Sequence, residues 1–570
     1  MSARSSRALA VLALCGSASL GGAGCESQAP PAAPPPAPPT PVEEAPPPQT
    51  RPWYAAGKKA AVSTGRREAT NAALEVMRKG GNAADGAAAA LLALSVADHA
   101  RFPFGGEVSI LVYSARDGSV EAIAGQGAAP LLATRERFAK KGLPTVGAQA
   151  ATVPAAPDAI VTLLERHGTT TLKEAAAPTH ELLKKNDQPW HWRLAKTLRK
   201  MTDAEKKADG ARSEGLLRAR EEFYRGSVAR EIDEWSRKGG ALLRFVDLAA
   251  HTTRIEAPAS LAYRGHRLVK AGAGTQGPVL LAALGTLEHF GLHGLGPHNP
   301  RAVHVGVESL KLAFADRDAY LGDPSHVDVP LEALIYPYYL SLRSKTIDLG
   351  KAAPVGRTGD PVNKKPLLEP EPRWSPGALA TALGSTTCVV ADQQGNVVAA
   401  TASGSAGVEA GETGVWLGTR LASFNLAAEH PNALAPGKRP RSPASPTLVF
   451  KDKQPIYALS VAGDDEQEQV TLQLLTDLID FQMLPEEAIV APRWATRPRE
   501  GVGHSAAQAH VLRANPALIE AAGPALETMG HRLEAHEAPI GAPSLVVIDP
   551  RFKILVATGD PAAGQEAGAL

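Results

Sequence analysis

Four times along this chain two short apolar runs stand close enough together to form a strand pair. They are Ser109 to Tyr113 with Val120 to Ile123, Thr387 to Val390 with Val397 to Thr401, Leu448 to Phe450 with Ile456 to Leu459, and Ser544 to Ile548 with Ile554 to Thr558. Asp117-Gly118 punctuates the first pair and Gln394-Gly395-Asn396 the second, both turn-forming sequences. An isolated hairpin cannot bury its apolar face, so these pairs must join into sheets and be covered. Helical spacing supplies the cover: Ala69 to Val96 in two pieces broken at Gly80-Gly81-Asn82, Ala156 to His167, an amphipathic Val303 to Tyr320, and Val470 to Phe481. Pro189 to Arg225 is polar and charged and reads as solvated helix and loop, and Ala262 to Val269 as one strand. Strand pairs alternating with helix blocks predict layered α/β or α+β, with helices on the sheets.

The length of 570 residues suits two or more domain-sized units or one large two-lobed body. Aromatics make up only 5%, so the cores must rest on Ala, Val and Leu. Sixty Lys+Arg against 59 Asp+Glu leave a formal charge of +1, which gives no electrostatic reason to expect nucleic acid as a partner. Residues 1–25 read as an export signal: Arg4 and Arg7, an apolar Ala8 to Leu14, then small residues up to Cys25. Gly22-Ala23-Gly24-Cys25 resembles a bacterial lipobox, which would make Cys25 a lipidated N-terminus. A plain secreted signal is the alternative. Residues 26–52 are rich in Pro and Ala and form a spacer. The expected location is the bacterial cell envelope, with the membrane as partner through the lipid anchor. Only Cys388 remains for the body, so no intrachain disulfide framework is available there.

A series of motifs then appears in order. Lys79-Gly80-Gly81-Asn82-Ala83-Ala84-Asp85 comes first, then Leu310-Lys311-Leu312-Ala313-Phe314-Ala315-Asp316-Arg317 with Tyr320-Leu321-Gly322-Asp323-Pro324. Lys438-Arg439-Pro440, Ile479-Asp480-Phe481, Ala491-Pro492-Arg493 and Gly559-Asp560-Pro561 follow. This ordered set resembles the γ-glutamyltranspeptidase family of N-terminal-nucleophile hydrolases. The resemblance implies an α+β fold, a four-layer αββα sandwich. It also implies a precursor that cuts itself into a large part (53–384) and a small part (385–570). The first residue of the small part would attack an amide, with its own freed α-amine as base. A small-molecule or peptide amide is the implied partner, and no cofactor or metal is.

The family's cut precedes a "TTHxxVVDxxGN" strand. Here the chain reads Gly384-Ser385-Thr386-Thr387-Cys388-Val389-Val390-Ala391-Asp392, with Gly395-Asn396 following. Counting back seven places from Asp392 lands on Ser385. Choosing Thr386 would need a deletion inside the strand, and a one-residue slip turns every later side chain to the other face. Ser385 is favoured and Thr386 stays open. A hydroxyl-rich strand start in an uncut chain is the plain alternative.

Several family positions are changed. Gln126 stands where an arginine clamps the substrate α-carboxylate. The "NNQMDDF" segment becomes Gly418-Thr419-Arg420-Leu421-Ala422-Ser423-Phe424, so Ser423 replaces the Asp that holds the α-ammonium and Arg420 adds a cation. The paired serines become Ser442-Pro443, the oxyanion "GG" becomes Gly463-Asp464, and the Thr and Asn flanking the nucleophile become Ser403 and Ser405. Carboxylates after Gly463 would oppose an oxyanion unless they point away. The function expected is an autoprocessing amidohydrolase or acyltransferase with altered or weakened glutamyl specificity, Arg420 meeting an acidic group. The alternative is a retired lipoprotein that binds or scaffolds. No HExxH or paired CxxC is present, and His304 reads as a helix-packing residue.

Overall fold

In the computed structural model, residues 51–185, 188–369, 384–498 and 511–570 are described. The signal segment, Cys25 and nearly all of the Pro/Ala-rich spacer lie outside them. No helix among the described residues is long and apolar enough to cross a membrane.

Two seven-stranded sheets organise the body. One runs Glu566–Ala569, Ala60–Thr64, Ser385–Asp392, Val397–Ser403, Glu107–Ser114, Ser119–Gly125, Arg254–Glu256. The other runs Tyr54–Gly57, Ile554–Gly559, Ala542–Asp549, Gln454–Ala462, Thr447–Lys451, His266–Lys270, Ala259–Tyr263. Every neighbouring pair in both is antiparallel. All four predicted strand pairs form, each adjacent within one sheet.

Three apolar layers hold the sandwich. Val389, Ala399, Leu448, Ala458 and Val546 fill the space between the sheets. Cys388, Val390 and Ala400 face the other way, into helices Arg67–Arg78, Ala83–Ala97 and Ala156–His167. Leu459 and Val461 meet helices Gly277–Leu287, Pro300–Tyr320 and Glu466–Ile479 on the far side. This is the αββα order. The central strands are buried on both faces and therefore read as continuous apolar runs.

The Ala83–Ala97 helix explains the early glycine-asparagine motif. Asn82 caps it, accepting from the Ala84 and Asp85 N–H groups at 2.9 and 3.1 Å, while Asp85 accepts from the Asn82 N–H at 2.9 Å. Both Asp85 oxygens also hold Thr169 and Thr170, fixing the loop after Ala156–His167.

Three expectations are corrected. Pro189–Lys206 and Arg212–Tyr224 are packed helices. Trp190, Leu194, Leu198 and Met201 form a helical stripe in the core, beneath a polar outer face. Pro300–Tyr320 is buried nearly all round. The single strand expected over 262–269 is a hairpin, because Arg264 and Gly265 take φ values of 47° and 75° and reverse the chain.

Asp477, inside Glu466–Ile479, gives a prediction for pH. Burial pushes its carboxyl up to about 7, from an ordinary 3.8. The native state therefore holds a proton that the unfolded chain gives up above pH 4. The contribution is complete below that value and is lost as pH rises through 7. Asp477→Asn should match the parent chain at pH 4 and exceed it by about 2–4 kcal/mol at pH 8. Urea midpoints at the two pH values check this; an Asn variant with the parent's pH profile would refute it.

Candidate active site

The strand Ser385–Asp392 carries the site, and Asp392 sets its register. Asp392 Oδ1 accepts from the Gln394 and Asn396 N–H groups at 2.9 and 3.0 Å. Its Oδ2 accepts from Asn396 Nδ2 and from the Ala83 N–H, at 3.0 and 2.9 Å. The turn is thereby closed and tied to the Ala-rich helix.

Alternation then places each hydroxyl. Ser385 and Thr387 share the inter-sheet face with Val389 and Ala391. Thr387 Oγ1 reaches Ser544 Oγ of the opposite sheet at 2.8 Å and donates to Gln565 Oε1 at 2.5 Å. Ser385 Oγ accepts from the Gly463 N–H, also of the opposite sheet's chain segment, at 3.0 Å. The Gln467 amide satisfies its surroundings when its nitrogen donates to the Val461 and Pro443 carbonyls at 3.1 and 3.0 Å. Its oxygen then stands 3.4 Å from Ser385 Oγ. Thr386 points the other way, against Gly65, where a Cβ would come within 2.1 Å of Thr386 Oγ1. That hydroxyl finds no hydrogen-bond partner. Burial pushes the Cys388 thiol up to about 12, which leaves it inert.

A cavity of about 690 Å³ opens beside Ser385, lined also by Thr386, Gly463, Asp464, Arg101, Arg497 and Arg513. Its cations are paired. Arg101 meets Asp98 at 3.1 Å, Arg497 meets Glu534 at 3.0 Å, and Arg513 contacts Glu466. The acidic run after Gly463 is drawn off likewise: Asp465 to Arg317 at 2.6 Å, Glu466 to Arg513 and the Gly541 N–H, Glu468 to Lys270 at 2.8 Å. Asp464 takes φ 48°, a left-handed conformation that glycine adopts freely and an Asp does not.

The remaining expected residues lie outside that cavity lining. Gln126 donates to the Gly274 carbonyl at 2.9 Å. Ser423 is half-buried, and its carbonyl accepts from Asn432 at 2.6 Å. Arg420 is 1% exposed, so it does not present itself to a substrate as expected. Its Nε lies 2.8 Å from Glu107 Oε1, and its Nη2 donates to Ser403 Oγ at 2.6 Å. Ser442 donates to the same Glu107 oxygen at 2.6 Å. Ser403 donates to the Gly384 carbonyl and Ser405 accepts the Gly384 N–H, both at 2.7 Å. Gly384 is thus held at both its N–H and its carbonyl, and the carbonyl is that of the peptide preceding Ser385.

Sequence reasoning missed Glu107 and Gln467 as site residues. Glu107 had a signal: a lone carboxylate opening an apolar strand must find a cation when buried. Among the described residues one group brings metal-ligand atoms together, the buried His304, Glu308 and His531. His304 bonds His531 at 2.8 Å and the Asp348 carbonyl at 2.7 Å, and Lys311 neutralises Glu308 at 2.7 Å. Burial and Lys311 hold His531 down to about 3. The group is a hydrogen-bonded packing cluster with an ammonium where a cation would sit.

An αββα sandwich with a hydroxyl at the start of a central strand, facing a backbone donor across the sheets, defines the N-terminal-nucleophile hydrolase class. Within that class, the profile described as Gamma-glutamyltranspeptidase matches residues 69–188 and 177–570, and the chain belongs to this family. It is similar to the glutathione hydrolase proenzyme of Escherichia coli (strain K12), 28% identical over 488 residues, 77% of this chain and 81% of that one. It is also similar to the Acylase ACY 1 proenzyme of Pseudomonas sp. (strain SE83), 27% identical over 539 residues, covering 87% and 91%. The crystal structure of cephalosporin acylase from Bacillus halodurans superposes with a TM-score of 0.76 at 26% identity, covering 93% of this chain and 98% of that one.

Proposed function

We propose that this chain is a self-cleaving amidohydrolase or acyltransferase, with Ser385 as nucleophile and an amide other than a free γ-glutamyl compound as substrate. The carrying observation is the setting of Ser385: its oxygen faces the Gly463 N–H beside an open cavity. Scission before Ser385 frees an α-amine next to the hydroxyl, the base such a nucleophile uses. The hydroxyl then attacks the substrate carbonyl, the Gly463 N–H meets the developing oxyanion, and the acyl group passes to water or an amine. The proenzyme names of the relatives support the processing step.

Altered specificity is supported by the clamp positions. Gln126, Arg420 and Ser442 are engaged with protein partners, and Ser423 carries no charge. Each lost charge-assisted contact costs about 1.5–3 kcal/mol, so two lost clamps weaken glutamyl recognition by two or more orders of magnitude. The second reading, a retired binding protein, is favoured by one feature: Asp464 puts a left-handed acidic residue where the family has its second oxyanion glycine.

The purified full chain should run as two bands on a denaturing gel, with Ser385 first in the smaller one. Turnover of a γ-glutamyl anilide should be no faster than that of a neutral acyl anilide, because the contacts that would favour the glutamyl group are lost. A single uncut band would support the retired protein instead, and a glutamyl preference of about 100-fold or more would refute the specificity claim.

A further inference from the structure

We propose that Arg420 is a positioning residue for self-cleavage, acting through Ser403 on the carbonyl oxygen of the Gly384–Ser385 peptide. This rests on the reading that the chain cuts itself there. The family segment has glutamine at this place, so the charge belongs to this chain.

Hydrogen-bond direction carries the argument. A guanidinium can only donate, so at 2.6 Å Ser403 Oγ must accept from Arg420. The one proton of Ser403 is then left for the Gly384 carbonyl, 2.7 Å away. The hydroxyl proton cannot turn toward Arg420, which offers only donors, without losing the carbonyl contact. Arg420 is itself held by Glu107 at 2.8 Å, and Glu107 by Ser442 at 2.6 Å. Thr419 anchors the turn, its N–H donating to the Gly404 carbonyl at 2.8 Å. Glu107, Arg420 and Ser403 are buried, where charge acts more strongly than in water.

The step balances without another reactant until water enters. Ser385 Oγ bonds to the Gly384 carbonyl carbon, and the carbonyl electron pair moves onto its oxygen, facing the Ser403 hydroxyl. Collapse restores the C=O and breaks the C–N bond, and the Ser385 hydroxyl proton ends on the departing nitrogen. The resulting ester is opened by water, giving a Gly384 carboxylate and a free Ser385 hydroxyl. Positive charge relayed through Ser403 stabilises the oxyanion in the first stage.

The test follows fragment appearance over time in freshly translated full chain. Arg420→Gln should slow self-cleavage by about 10–100-fold and Ser403→Ala by about 100-fold. Arg420→Lys, which keeps a charge, should recover part of the rate. Arg420→Gln added to Ser403→Ala should change the rate by less than about threefold, because both act on one line. Thermal melts identify any variant that fails to fold. Should Arg420→Gln not fold, Ser403→Ala decides alone, since it keeps the ion pair. Parental cleavage in a folded Arg420→Gln or Ser403→Ala, or fully multiplicative effects, would overturn the proposal while leaving a self-cleaving parent intact. A parent chain that never cuts removes the underlying reading and the proposal together.

Discussion

Ser385→Ala is expected to stay a single chain through purification, while Thr386→Ala divides at the parental rate. The two side chains are neighbours on opposite faces of one strand. Ser385 Oγ meets the Gly463 N–H across the sheets, whereas Thr386 Oγ1 is pressed toward Gly65 without a hydrogen bond. The clamps at Gly384 agree, because Ser403 holds the carbonyl that a Ser385 attack would meet and Ser405 holds the N–H of the same glycine. Losing a nucleophile outright removes on the order of 10⁴-fold or more of rate, so no fragment should appear over days. Thr386→Ala removes an unsatisfied buried hydroxyl together with a buried methyl group, opposing effects that should leave stability within about 1 kcal/mol. Ser385→Thr, which restores the family's residue, should still cut. Cleavage of Ser385→Ala, or intact chain from Thr386→Ala, would move the nucleophile one residue on.

The face that Ser385 presents was legible because Asp392 fixes the register in the sequence as it does in space: its carboxylate closes the turn from which the count runs back. The strand pairs were legible for a similar local reason, since each carries its own pairing partner. What failed locally needed the rest of the molecule. The polar stretch beginning at Pro189 hid an apolar stripe under its charges. Arg420 looked like a substrate contact because its partner Glu107 lies more than 300 positions away on another strand. The acidic residues at 465 and 466 looked hostile to an oxyanion because Arg317 and Arg513, which draw them off, come from distant segments. Charges are ambiguous in a sequence where their partners are remote, and most of this site is made of such charges.

The same lesson sets the second large effect. Lys270 and Glu468 are fully buried and lie 2.8 Å apart, Lys270 in the sheet and Glu468 in the first turn of Glu466–Ile479, just after Gly463 and Asp464. Lys270 also donates to the Ser445 carbonyl at 2.6 Å and to Thr447 Oγ1 at 3.0 Å. Burial holds the Glu468 carboxyl above its ordinary range even with the ammonium beside it. Lys270→Met should therefore destabilise the chain by about 3–5 kcal/mol at pH 8, since it leaves a buried carboxylate unpaired. The sign with pH follows. Without Lys270 the folded Glu468 binds its proton still more tightly than the unfolded chain does. The variant's deficit should then shrink as pH falls and Glu468 becomes neutral, and grow as pH rises. Lys270→Met with Glu468→Leu should return to within about 1–2 kcal/mol of the parent, because an apolar pair replaces the ionic one. Urea unfolding of the three chains at pH 5 and 8 measures all of this. A single variant as stable as the parent at pH 8 would mean that the pair does not hold the helix bearing the Gly463 donor against the sheet.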